Sequence, residues 1–187
     1  LCNGGSGAIC GPIELEVGGI IVDRLYPVGL DILDELTTSS KRTGMDRMIL
    51  KSDIYRSATF NADKSVDLMI PLEFWFTKQY SSALPLLSMY NQDVSINFRF
   101  NDFSDLINYD GNVNPAPAQI LDSNIFAEYI FLDDIILDQF QQQKHQYVIE
   151  QMVYHGDETI QANMSIYNTK LNFHNPCKEI LFACVDS

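Results

Sequence analysis

Positive charge is scarce in this chain: 12 lysines and arginines stand against 25 aspartates and glutamates in 187 residues, a net charge of −13. The acids are spread along the sequence rather than gathered in a tail. Direct binding to nucleic acid is disfavoured, because displacing counterions from a phosphate backbone needs clustered Lys and Arg. Long hydrophobic runs are missing too. No apolar stretch approaches the roughly 18 residues that cross a bilayer, and no basic segment followed by an apolar one opens the chain. Neither a signal peptide nor a membrane anchor is read. The first residue is Leu1 rather than methionine, so an interior piece of a longer polypeptide is expected.

Cysteine and histidine are few, four and three respectively. Cys2 with Cys10 and Cys177 with Cys184 lack the paired CxxC spacing of a zinc ribbon. Seven residues along one straight strand separate two side chains by more than ~20 Å and put them on opposite faces, so Cys177 and Cys184 cannot bridge within one strand. Reduced, structural cysteines of an intracellular compartment are the expectation. His145, His155 and His174 form no recognisable catalytic set. His174 lies three residues before Cys177, but the intervening Pro176 favours a turn in which the two need not face each other. His155, Asp157 and Glu158 flank Gly156 and read as a solvated hairpin tip rather than as metal ligands. The acids Asp133, Asp134 and Asp138 sit where a strand leads into a helix, and the favourable helix N-terminus accounts for them without calcium or acid-base work. Gly4-Gly5-Ser6-Gly7 has no preceding strand and no phosphate-loop lysine, so it reads as a flexible loop. No catalytic, cofactor-binding or metal residue is assigned, no cofactor is expected, and the chain is read as not an enzyme.

What the chain does have is apolar material: 46% hydrophobic and 11% aromatic residues, ample for a core. Ile13, Leu15 and Val17 alternate with Glu14 and Glu16, and Gly18-Gly19 then permits a tight reversal into Ile20 to Arg24, a hairpin pattern. Leu30, Ile32, Leu33 and Leu36 recur at helical spacing, with Asp31, Asp34 and Glu35 opposite. Thr37 to Asp53 is polar and basic, a turn followed by a brief helical or irregular piece. Ile70, Leu72, Phe74 and Phe76 share one parity, with Pro71 and Trp75 on the other. Val94, Ile96, Phe98 and Phe100 alternate strictly with Ser95, Asn97 and Arg99. Asn101 to Ser123 is a long polar loop, of the kind that is usually exposed and functional. Residues 125–132 alternate with both faces apolar and read as a strand buried on both sides. Asp138 to His145 reads as a short helix or linker, Tyr147 to Tyr154 as a strand, and Ile180, Phe182 and Cys184 as a last one. About nine strands against two or three short helices make an all-β jelly roll or sandwich with short helical insertions. Trp75 reads as core rather than as a sugar-stacking platform.

Several of these blocks, in order, resemble the major capsid proteins of the large nucleocytoplasmic DNA viruses of eukaryotes. They are IELEVGGIIVDRLYP (Ile13 to Pro27) with LDILDELT, then IPLEFWF, then ALPLLSMYNQDVSINFRF. AEYIFLDDIILDQFQQQKHQYVIEQ (Ala127 to Gln151) and LNFHNPCKEILF (Leu171 to Phe182) follow. The last departs from the family's Asn-His-Pro order, reading His174-Asn175-Pro176, and Leu137 to Lys144 is glutamine-rich where members often carry an arginine-rich helix.

The resemblance implies two jelly rolls in tandem, of which this chain is a central fragment. Residues 1–137 would be the C-terminal portion of the first barrel, 138–146 a connecting helix or linker, and 147–187 the opening strands of the second. It implies a structural protein whose homotrimers form pseudo-hexagonal capsomers of an icosahedral shell. Its partners would be copies of itself, neighbouring capsomers and minor capsid proteins, with an internal membrane possible beneath the shell and no direct nucleic acid. Its place would be the virion, assembled in the host cytoplasm. The alternative is a carbohydrate-binding module, a jelly-roll lectin or cupin-like domain, using Trp75 or the long loop.

Overall fold

The computed structural model describes residues 10–37, 48–49, 67–89, 91–102, 119–161, 163–182 and 184. Strand β1 is Cys10–Val17 and strand β2 is Ile20–Leu25. Between them Gly18 and Gly19 adopt φ of 58° and 80°. Only glycine takes two successive left-handed conformations at little cost, and such a two-residue reversal matches the strand twist. The pairing Glu14↔Arg24 and Val17↔Ile20 is antiparallel, but between Leu15↔Asp23 and Glu16↔Ile21 it slips, leaving Val22 as an extra residue in β2.

Strand β3, Val94–Phe100, pairs antiparallel with the other side of β1, so the sheet order is β2-β1-β3. The expected start of β1 after Pro12 moves back to Cys10. Pro12 has no N–H to give a central ladder; it is tolerated because the β1–β3 register breaks between Cys10 and Ile13, and because β2 pairing begins only at Ile13. Helix α1, Pro27–Thr37, begins three residues earlier than the apolar periodicity suggests. Pro27 at its first turn lacks only an N–H that would have no helical partner. Leu30 N–H closes that turn on the Tyr26 carbonyl at 3.0 Å.

Period two places Ile13, Leu15 and Leu25 on one face, where they are buried with Cys10, Leu30 and Phe74. Val17, Ile70, Leu72, Phe76, Val94, Ile96, Phe98 and Met152 pack around them. Each fully buried aliphatic or aromatic side chain contributes on the order of 1.5–3 kcal/mol from removed apolar area. The opposite face carries Glu14, Glu16, Arg24 and Asn97. Arg24 Nε lies 2.7 Å from Glu14 Oε1, and Asn97 Nδ2 donates to Glu16 Oε2 at 3.0 Å. Alternation fails in β2 at the register slip but reads correctly in β1 and β3.

The strand count does not. Among the described residues three strands form ladders, joined by α1, by short 3-10 turns at Trp75–Thr77, Tyr80–Ser82 and Leu86–Met89, and by helix α2, Asp134–Gln142. The result is a small antiparallel sheet with a few short helices, compatible with a fragment of a jelly roll. Residues 70–76 are extended and then turn, instead of joining the sheet; Pro71 removes a ladder donor. Residues 125–132, 147–154 and 180–182 have no ladder partners among the described residues. Residues 125–132 are exposed on both faces rather than buried, Phe126 at 86% and Phe131 at 92%. Apolar alternation specifies two faces, but a ladder also needs a neighbouring backbone. Leu36, expected on the inner face of α1, is likewise exposed.

Candidate functional site

The residues with chemistry to offer lie apart. His145 Nε2 donates to the Phe140 carbonyl at 2.6 Å and its ring stacks 4.0 Å from Phe140, closing the end of α2. His155 is exposed, 3.9 Å from Glu158. His174 and Cys177 do not meet: Cys177 Sγ contacts the Glu179 carbonyl at 3.2 Å, and His174 is solvent-facing. Around Gly156, whose φ is 101°, Tyr154 donates to Asp157 while Tyr167 and Thr169 donate to Glu158. The Tyr167 hydroxyl, then Thr169, holds the Glu158 carboxyl below its usual range. This arrangement ties a turn to the segment that follows it. Among the described residues no group of three His, Cys, Asp or Glu is disposed around a common metal position.

The acids at the start of α2 divide in role. Asp133 occupies the position before the helix, where its carbonyl accepts from Leu137 N–H at 2.9 Å, but its side chain makes no capping bond. Asp134 in the first turn complements the helix dipole. The helix starts four residues before the expected Asp138. Cys10, Cys177 and Cys184 are free thiols, and burial pushes the Cys10 thiol up, which keeps it protonated and unreactive. Gly4 to Gly7 and most of the loop from Asn101, residues 103–118, lie outside the described residues.

Trp75 is 8% exposed, at the edge of the core beside Phe76, its ring 6.3 Å from that of Tyr147. A sugar platform needs an open face, which this burial denies. Its Nε1–H is buried without a hydrogen-bond partner among the described residues. Phe74, just before the 3-10 turn, and Trp75, its first residue, are both buried, so the strand parity that would have separated them does not apply.

Two features escaped sequence reasoning. One is the exposure of many apolar side chains between residues 120 and 135: Ile120, Leu121, Ile125, Phe126, Tyr129, Ile130, Phe131 and Ile135. The other is a polar knot: Asp23, buried on the apolar side of β2, and Glu150, between Lys78 Nζ at 3.0 Å and Lys178 Nζ at 2.7 Å. Lys178 and then Lys78 pull the Glu150 carboxyl down to about 2. Burial pushes the Asp23 carboxyl up, against the opposing pull of the Arg24 and Met152 N–H groups and the Lys78 charge. The extra residue at Val22 leaves Asp23 beside Leu15, and no spacing rule in the sequence announces that.

The sequence profile of the family described as Major capsid protein N-terminus matches residues 6–133. The chain belongs to the major capsid protein family. Relatives agree along most of its length. The major capsid protein of Pyramimonas orientalis virus is 32% identical over 173 residues, covering 91% of this chain and 41% of the relative. That of Paramecium bursaria Chlorella virus 1 is 30% identical over 170 residues, covering 89% of this chain and 38% of the relative. Capsid protein 1 of Acanthamoeba polyphaga mimivirus is 29% identical over 188 residues, covering 94% and 32%. This capsid-family chain thus spans between about a third and two fifths of the relatives' lengths. No solved structure matches it. No helix among the described residues is long and apolar enough to cross a membrane.

Proposed function

We propose that this chain is part of a structural capsid subunit that self-associates into trimeric, pseudo-hexagonal capsomers tiling an icosahedral virion shell. The observation that carries the reading is the family match over residues 6–133, with relatives named as capsid proteins aligned over about nine tenths of the chain. The exposed apolar side chains between Ile120 and Ile135 are surface for the rest of the polypeptide or neighbouring copies to cover. On this reading residues 1–137 belong to a first jelly roll, 138–146 connect, and 147–187 open a second. The subunit performs no turnover. Its partners are other copies, neighbouring capsomers and minor capsid proteins, with no direct nucleic acid, in keeping with this chain's net charge of −13. It resides in the virion and assembles in the host cytoplasm. The carbohydrate-binding alternative loses its best residue with Trp75 buried.

The test is the mass in solution of the complete protein that contains this chain. Three copies per particle at micromolar concentration are expected. A stable monomer at that concentration overturns the trimeric reading.

A further inference from the structure

Residues 150–154 lie beside the free edge of β2, and their contacts advance in step with it. Gln151 Nε2 donates to the Val22 carbonyl, 129 positions earlier in the chain. Met152 N–H donates to the Asp23 carboxylate, and the Tyr154 ring lies 5.1 Å from that of Tyr26. The Met152 side chain packs against the core and passes over Gly29, with Sδ only 2.6 Å from where a Cβ on that glycine would stand. Gly29 has an ordinary helical backbone, so its lack of a side chain serves this approach. One residue before this row, Glu150 lies between Lys78, just after the 3-10 turn at Trp75–Thr77, and Lys178.

We propose that residues 150–152 form a staple that fixes the segment following α2 to the body made by β1, β2 and α1, so that the chain beyond α2 leaves in one set direction. Four dissimilar contacts from three consecutive residues make the staple specific. Met152 supplies shape, seated in a notch that only glycine keeps open. Asp23 supplies a buried acceptor that Met152 N–H helps to satisfy. Glu150 supplies charge shared by two lysines from separate segments. A single exposed ion pair contributes little, but here one carboxylate is ordered once for two partners. The Gln151 amide also occupies a β2 edge carbonyl that would otherwise be open to another chain. The inference rests on these contacts alone and stands whether or not the capsomer reading does.

Limited proteolysis of the full chain with chymotrypsin, timing cleavage after Tyr147 and Tyr154, tests it. In the native chain the rate is expected to rise several-fold between about 20 mM and about 500 mM NaCl, as screening weakens the exposed part of the staple. Glu150→Gln, a surface substitution that leaves the core intact, is expected to raise the low-salt rate about 3- to 5-fold and to remove the salt dependence. Gly29→Ala is expected to raise it about tenfold at either salt concentration by closing the notch to Met152. A native rate that ignores salt, or a Glu150→Gln chain cleaved no faster than the native one at low salt, overturns the staple. Because Glu150→Gln decides the matter alone, a general loss of folding in Gly29→Ala does not blur the outcome.

Discussion

Asp23 stands on the apolar side of a two-stranded ladder, paired with Leu15, where a carboxylate is expensive to keep ionised. Its carboxyl is pushed up by burial, so the folded state binds the proton more tightly than the unfolded chain does. The sign follows from linkage: stability associated with this group is present below the unfolded carboxyl value and is lost as pH rises through the folded one. Glu150 has the opposite sign. Its contribution is complete above the ordinary carboxyl range and is lost as pH falls toward about 2. Asp23→Asn, which keeps an acceptor for the Arg24 and Met152 N–H groups and removes the buried charge, is expected to raise the urea midpoint at pH 7. The advantage should shrink as the pH is lowered into the carboxyl range. A midpoint lowered at pH 7 would mean that the Lys78 attraction outweighs the burial cost.

At the level of elements, the hairpin depends on two consecutive left-handed residues. Gly19→Val is expected to destabilise the fold by about 1–2 kcal/mol, measured by urea denaturation, whereas Gly19→Asn should cost only a fraction of that, because Asn tolerates the conformation. A Cβ at Gly19 meets open space, so any loss is conformational and not a clash. This element, β3 and the middle of α1 were legible in the sequence because their signals are local: a Gly-Gly pair, strict alternation over seven residues, apolar spacing of three and four. The stretch from Ile70 to Phe76 was misread for a physical reason. Alternation there reports which side chains face the core, and they do face it, but Pro71 and the turn at Trp75 deny the backbone a ladder. Residues 125–132 show the converse, with a strand-like pattern and no neighbour among the described residues. Of the candidate site, the knot of Asp23, Lys78, Glu150 and Lys178 was not readable, since it joins residues up to 155 positions apart through one displaced residue in β2.

For the molecule as a whole, a net charge of −13 and a sequence pI of about 4.4 act against the exposed apolar side chains from Ile120 to Phe182. Mutual repulsion opposes non-specific clustering of copies at neutral pH and fades as the carboxylates take up protons. Light scattering of the chain is expected to peak within about one pH unit of 4.4 and to fall again above about pH 6. A flat profile would place the apolar side chains out of reach of other copies. The sheet order has a further consequence, for the moment of synthesis. β1 finds β2 across two residues, yet its other edge is completed only by β3, as in the contact between Glu16 and Asn97, 81 positions apart. At ~5–20 residues per second a ribosome needs on the order of 4–16 s to make that interval. Until then a finished hairpin waits with the outer row of β1 backbone groups bare, and in a cell making many copies at once the nearest complement to that row is the β3 of another nascent chain.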